Sequence, residues 1–128
     1  MPAGQDTYEY NGDQFKITCH LPLGDEPKVV FQGAMRMKSV EEVPVLELLQ
    51  HVVNRATGED YVVIDLHNLD FINSQGISVL YKFAINLRNK NVKVNIFAVK
   101  QSAWQQATLN NVLKLSSDST ITWSEKEG

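Results

Sequence analysis

The sequence predicts a single α/β domain built on a mixed β-sheet. Three features support this prediction: a length of 128 residues, an early hairpin signal, and an alternation of strand-like and helix-like segments further along. Strands that alternate with helices pair in parallel through right-handed crossovers, whereas a hairpin adds an antiparallel edge. The predicted order of elements is β-β-β-α-β-α-β-α-β.

The first three strands come from the N-terminal part of the chain. Apolar side chains alternate with polar ones over residues 15–21, the pattern of a half-buried strand. Asn11 and Gly12 precede it, and both tolerate a positive φ, so they predict the turn of a hairpin. A third strand is predicted over residues 28–32, with Gly33 as a bulge or bend.

Helices and strands then alternate to the end of the chain. The first helix begins near Ser39, which forms a capping-box pattern with Glu42, or at Pro44, a residue suited to a first turn. The predicted elements that follow are a strand over 61–66, a helix over 77–89, a strand over 92–99, a helix over 102–111 and a strand over 120–123.

Composition excludes several classes of protein. Formal net charge is −3, and no basic block with interleaved aromatics indicates nucleic-acid binding. Apolar runs are too short to span a membrane, and the polar residues 1–13 lack a signal-peptide core. The single cysteine, Cys19, forms no internal disulfide and is predicted to be an inert core thiol. We therefore expect one cytoplasmic domain over 1–128, with 1–13 as an N-terminal segment or edge strand and 124–128 as a flexible tail.

Catalytic, metal and cofactor sites receive no support from the sequence. The three histidines, His20, His51 and His67, are scattered without metal-ligand spacing. Asp65 and Asp70 flank the predicted end of the central strand, where they could bind Mg²⁺ or tune a nearby serine; solvated or turn-capping roles are favoured. Neither a phosphate-binding loop nor a Ser-His-Asp pattern occurs. We predict no catalytic residue, no metal and no cofactor.

The segment 69–80 joins the central strand to the most regular helix. A helix N-terminus presents unpaired N–H groups and the positive end of the helix dipole, and Ser or Asn is a natural cap there. The same position would stabilise a phosphate on a hydroxyl group. Gly76 would let a partner approach the backbone closely. By spacing alone, capping by Asn73 and Ser74 and a tight turn at Gly76 are the favoured explanation, because they account for every residue type present.

Residues 62–66 and 71–80 resemble the signature of STAS domains, named for sulfate transporters and anti-sigma-factor antagonists. In that family a central strand ends in an aromatic-aliphatic pair, followed by Asp-Ser-x-Gly and an aliphatic helix. Residues 94–99 are similar to the next strand, and 107–115 to a Leu-x-x-x-Gly-Leu helix ending with Asn111 in the glycine place. The resemblance implies a STAS-like mixed β-sheet with an N-terminal β-hairpin and three to four helices packed mainly on one face.

The resemblance also implies a function. Free-standing bacterial STAS proteins are non-enzymatic antagonists in partner switching: unphosphorylated, they bind a GHKL-type serine kinase that is also an anti-sigma factor. The kinase phosphorylates the Ser after the family's Asp, and a PP2C-type phosphatase reverses this. The matching acceptor here is Ser74, and the matching partner-binding residues are Asn73, Ser74, Gln75, Gly76, Ile77 and Ser78.

Two departures from the family pattern leave alternatives open. Asn73 stands where the family has Asp, and about three extra residues separate Gly33 from Pro44. Asn73 favours a non-phosphorylated STAS subunit that regulates a lipid or anion transporter. A small nucleotide-binding or hydrolytic protein is a third possibility, against which the missing phosphate-binding motif argues. Ser78 is either part of the binding surface or simply solvated, and Trp104 is predicted to pack in the core rather than anchor a partner.

Overall fold

The computed structural model describes residues 5–22, 26–56, 61–100, 102–113 and 120–124. Its strands are β1 (Gln5–Asn11), β2 (Phe15–Pro22), β3 (Lys28–Met35), β4 (Tyr61–Ile72), β5 (Lys93–Val99) and β6 (Thr120–Ser124). Its helices are a 3₁₀-turn (Ser39–Glu41), α1 (Glu42–Arg55), α2 (Ser74–Asn89) and α3 (Ala103–Leu113). The predicted α/β order is confirmed.

The six strands lie in one mixed sheet in the order of the sequence. β1, β2 and β3 form an antiparallel meander, and β3, β4, β5 and β6 are parallel. Each parallel pair is joined through one helix, and right-handed crossovers that all advance in the same direction place α1, α2 and α3 on the same face. The predicted hairpin edge and STAS-like layering are thereby confirmed.

The core lies between this face of the sheet and the helices. Alternate residues of β2 are buried, and the register continues their row into the middle of the sheet, as in the pairing of Val29 with Ile64 and of Ile64 with Ile96. Full burial of each such side chain stabilises the fold by about 1.5–3 kcal/mol. The buried helix residues that pack on this face are Val45, Leu48, Leu49, Val52 and Val53 of α1, Val79, Leu80, Phe83, Ala84 and Leu87 of α2, and Leu109 of α3.

The hairpin between β1 and β2 turns through Gly12–Gln14 rather than through Asn11 and Gly12. Gln14 is the residue with a positive φ, 68°, so the predicted conformation of the turn is wrong. A left-handed residue in third place is common in three-residue hairpin loops. Gly12 is needed for space instead, because a Cβ there would lie 2.1 Å from the Phe15 ring.

Gly33 forms the predicted bend in β3. Its φ is 88°, and the register of β3 with β4 shifts between Gly33 and Ala34. A Cβ on Gly33 would lie 2.3 Å from the carbonyl oxygen of Gln14, so glycine is required both by its backbone and by its neighbour.

β4 is twice as long as predicted, 12 residues instead of six. Its second half pairs with β3 as far as Ile72, whereas its pairing with β5 ends at Asp65. Two bulges in β4 break the alternation of its buried side chains, because β4 has one residue more than β3 between Asp65 and Asn68 and again between Leu69 and Phe71. Leu66, Leu69 and Ile72 are therefore buried at intervals of three. A spacing of three is not the period-two pattern of a strand, so the sequence does not indicate that β4 continues to Ile72.

The last strand extends one residue into the predicted C-terminal tail. Residue 124, assigned to the flexible tail, is the last residue of β6, and its carbonyl accepts a hydrogen bond from Lys100 N at 2.8 Å. Residues 1–4 and 125–128 lie outside the described residues. No helix within the described ranges is long and apolar enough to cross a bilayer.

Candidate functional site

The β4–α2 corner is built around Asn73, the N-cap of α2. Asn73 has an extended backbone, with φ −91° and ψ 179°, and its side-chain Oδ1 accepts a hydrogen bond from Gly76 N at 3.1 Å. This is the geometry of a regular N-cap, which satisfies one of the helix's unpaired N–H groups. The sequence prediction that an N-cap stands here is therefore met by Asn73.

Asn73 also fixes the chain that leaves β3. Its backbone N donates to Met35 O at 3.1 Å, and its side-chain Nδ2 donates to Met37 O at 2.9 Å. An aspartate could not make the second bond, because a carboxylate only accepts. The amide thus clamps residues 35–37 against the start of α2.

Ser74 is the first residue of α2, and its side chain is exposed. Gln75, Ile77 and Ser78, which the sequence also assigned to the partner-binding surface, are half-buried. The first turn of α2 contains no acidic side chain. A negative charge placed on the Ser74 hydroxyl would therefore meet the positive end of the helix dipole without a carboxylate beside it in that turn.

Gly76 is buried, unlike its neighbours in the predicted surface. A Cβ at this position would lie 2.6 Å from Ile72 Cγ1 and 3.1 Å from Ile72 Cδ1. The missing side chain lets the first turn of α2 pack onto the end of β4. This contact within the domain is enough to explain the glycine, so close approach of a partner is not needed to explain it.

Exposed apolar side chains surround the corner. Val40, Val43 and Phe71 are 81%, 63% and 40% exposed. The guanidinium of Arg36 lies over the Phe71 ring, 4.5 Å from its centroid, in a cation–π contact. We call these four residues together with Ser74 the corner surface.

Side-chain contacts place the beginning of α1 beside α2. Glu42 forms an ion pair with Lys82, and Lys82 lies two turns after Ser74 on the same side of α2. Glu41 accepts a hydrogen bond from Tyr10 Oη at 2.7 Å, and this bond, with partial burial and the Glu41 charge, raises the pKa of Tyr10. Val40 and Val43 directly precede and follow these two glutamates in the sequence, so the ion pair of Glu42 brings the turn that carries them next to α2.

The sequence predicted part of this surface. Asn73 and Ser74 follow from a motif, but Arg36, Val40 and Val43 did not emerge as site residues. A signal for the two valines exists: they precede the buried stripe of α1 and fall outside its phase. Arg36 has no local signal, because its contact with Phe71 joins residues 35 positions apart.

The family model of the STAS domain matches residues 38–120, well over half of the chain. The chain belongs to the STAS domain family. The match covers α1 to the start of β6 and includes the whole β4–α2 corner, while the β1–β2–β3 meander lies before it. No curated protein matches the chain.

Other candidates lie apart from the corner of this STAS domain. Asp65 is in the middle of β4, roughly 23 Å along an extended strand from Ile72. Its Oδ1 accepts from His67 N at 3.0 Å and its Oδ2 lies 3.9 Å from Lys28 Nζ, so the idea that Asp65 tunes Ser74 is wrong. Among the described residues, no group of His, Cys, Asp or Glu has the arrangement to hold a metal ion.

The remaining candidates are structural. His51 stacks on Tyr8, with ring centroids 4.1 Å apart. Cys19 is fully buried, and burial raises the pKa of its thiol to about 12, which confirms the inert core thiol. Trp104 packs against the core as predicted, with its indole Nε1 buried and without a partner among the described residues.

Gln105 has a structural role that the sequence did not indicate. Its side chain is fully buried; Oε1 accepts from Val99 N at 2.7 Å, and Nε2 donates to Leu66 O at 3.0 Å. A weaker bond reaches Leu69 O at 3.5 Å. The amide therefore closes the gap that β5 leaves where it stops pairing with β4, and it anchors α3 to the second half of that strand.

Proposed function

We propose that this STAS domain is a regulatory, non-enzymatic protein–protein interaction module of the cytoplasm, a partner-switch protein similar to anti-sigma-factor antagonists. Its switch is reversible phosphorylation of Ser74. Its partner when unmodified is a GHKL-type serine kinase that is also an anti-sigma factor, and a PP2C-type phosphatase restores the unmodified form. The observation that supports this most is that Ser74 is exposed at the start of α2, the position that the motif resemblance matches to the phosphate acceptor.

The chemistry of the switch needs little from this chain. The Ser74 oxygen attacks the γ-phosphorus of ATP held by the kinase, the bond from that phosphorus to the β,γ-bridging oxygen breaks, and ADP leaves. The hydroxyl proton passes to a base of the kinase. The product carries about −1.5 to −2 charges at neutral pH.

The corner surface explains why such a charge would change binding. Exposed Val40, Val43 and Phe71 offer apolar area that a partner can bury, and patches of this kind mark interaction sites. A phosphate beside them must lose part of its hydration when the partner docks, and moving a charge out of water is costly. The unmodified form therefore binds and the phosphorylated form does not.

Substitutions at Ser74 test the proposal. We expect Ser74→Asp to weaken binding to the GHKL-type kinase encoded beside the gene by tenfold or more, and Ser74→Ala to bind like the wild type but to resist switching. Ser102→Asp is the control, because it adds the same charge at the N-terminus of another helix, where Ser102 lies directly before α3 and accepts from Gln105 N at 3.4 Å. Equal affinity of the wild type and both Ser74 variants in calorimetric titration contradicts the proposal.

A second candidate function rests on Asn73. Because its amide is engaged at both ends, the corner could serve as a fixed docking surface in a non-phosphorylated STAS subunit that regulates a lipid or anion transporter. Incubation with ATP and the neighbouring kinase, followed by intact mass measurement, separates the two. An added phosphate that is absent from Ser74→Ala supports the switch, and an unchanged mass supports the fixed subunit.

A further inference from the structure

Arg36 is a cation near the corner whose side chain contacts an aromatic ring. Among the described residues, none of the ion pairs includes Arg36, and its guanidinium instead lies over the Phe71 ring. Arg36 is exposed and Phe71 is 40% exposed, so the contact lies in water. A cation–π contact at an exposed site is weak compared with an Arg–phosphate pair, which forms two charge-assisted hydrogen bonds.

The backbone keeps Arg36 next to the residue that precedes Ser74. Met35 O and Met37 O, one on each side of Arg36, accept hydrogen bonds from Asn73 N and Asn73 Nδ2. The position of Arg36 relative to the start of α2 is thus fixed by two bonds, while its side chain is free to leave the Phe71 ring.

We propose that a phosphate on Ser74 draws Arg36 away from Phe71, so that phosphorylation both neutralises this cation and uncovers the ring. The inference rests on the proposed phosphorylation of Ser74 and states how the corner surface changes when it occurs. In the unmodified protein, Arg36 stays over Phe71 and is available to a carboxylate of the partner. In the phosphorylated protein, the phosphate competes with that carboxylate for the same guanidinium.

The test uses the full chain with phosphoserine incorporated at position 74 during translation, so that neither kinase nor partner is needed. Phosphorus NMR across pH 4.5 to 8 measures the second ionisation of the phosphate, which has an ordinary pKa of about 6. A paired guanidinium favours the dianion and lowers this pKa. We expect the ionisation constant to be at least threefold larger in the wild type than in Arg36→Gln.

Lys38→Gln is the matched control, since it removes an equally exposed positive charge two residues away. We expect it to change the ionisation constant by less than half as much as Arg36→Gln. An equal constant in the wild type and Arg36→Gln, or an equal effect of the two variants, overturns the proposal.

A second readout follows the Arg36 side chain itself. The Phe71 ring current shifts the δ-methylene protons of Arg36 in the unmodified protein, and Phe71→Leu supplies the unshifted reference. We expect phosphoserine at position 74 to move these protons to the reference value, and retention of the ring-current shift contradicts the proposal. Failure of either readout leaves the partner titration of the Ser74 variants unaffected, so the two proposals fail separately.

Discussion

Asn73 does two things that the family's aspartate cannot do together. It caps α2 through Oδ1 and holds residues 35–37 through Nδ2. The departure from the motif therefore has a physical reason in this chain, where the amide holds the segment that leaves β3. The capping role was predictable from the sequence, but the clamp was not, since its acceptor lies 36 residues earlier.

Asn73→Asp should destabilise the fold by about 1–2 kcal/mol, because it removes the donor to Met37 O and sets a carboxylate against that carbonyl. Urea unfolding measures the change. Asn68→Asp, the same substitution at an exposed position of β4, should stay within about 0.5 kcal/mol. A variant at residue 73 as stable as the wild type would show that the amide is not needed as a donor.

Gly76→Ala should cost about 1–3 kcal/mol, since the new methyl group overlaps Ile72 Cγ1. Ile72→Ala removes the obstructing atoms, so the double variant should be more stable than the sum of the two single changes indicates. Denaturant unfolding of the four proteins gives this coupling. Additive effects would mean that the contact with Ile72 is not what requires glycine.

At the scale of elements, the order of strands and helices was predictable and the length of β4 was not. Periodic patterns identify β2, α1 and α2, because each buries one face against a regular neighbour. The second half of β4 loses its alternation where β4 itself bulges opposite β3, and only its pairing with β3 shows that it is a strand. The role of Gln105 was not predictable for the same reason, because its acceptor Leu66 O lies 39 residues earlier. The sequence shows only that Gln105 stands three residues after Ser102, the spacing of a capping box.

Gln105→Leu should destabilise the fold by about 3 kcal/mol or more, because Val99 N and Leu66 O lose their buried partner. Hydrogen exchange adds a local readout. The Val99 amide should exchange faster in the variant than its loss of global stability explains, while amides in α1 should change only as that loss of global stability predicts. Gln50→Leu on the exposed side of α1 is the control. Unchanged protection of Val99 would contradict the anchoring role.

At the scale of the whole molecule, the sequential sheet brings all three helix N-termini to the edge where the parallel strands end, and Ser74 lies on that edge. The opposite face of the sheet carries half-exposed residues such as Thr18, Val30 and Asp65 in one row. The family and the mixed sheet were predictable because a local motif and regular alternation specify them. The corner surface was not, because it is assembled from the residue after β3, the 3₁₀-turn, α1, β4 and α2.

Burial of Cys19 predicts a loss of stability at alkaline pH. Its pKa is about 12 in the folded protein and about 8.5 when unfolded, so the neutral thiol stabilises the fold fully below pH 8.5. This contribution is lost as pH rises toward 12, by at most about 1.4 kcal/mol per pH unit. Cys19→Ala should show a shallower decline of the unfolding free energy over this range, with Tyr10→Phe as a control for the other raised pKa. Parallel declines in the wild type and Cys19→Ala would contradict this.

The central claim is tested most directly by comparing the unmodified protein with the protein that carries phosphoserine at position 74, each titrated calorimetrically into the GHKL-type kinase proposed as its partner. The account predicts that the unmodified protein binds and that the phosphate lowers the affinity by tenfold or more. Equal affinity of the two forms would contradict the claim that the Ser74 hydroxyl controls docking at the corner surface.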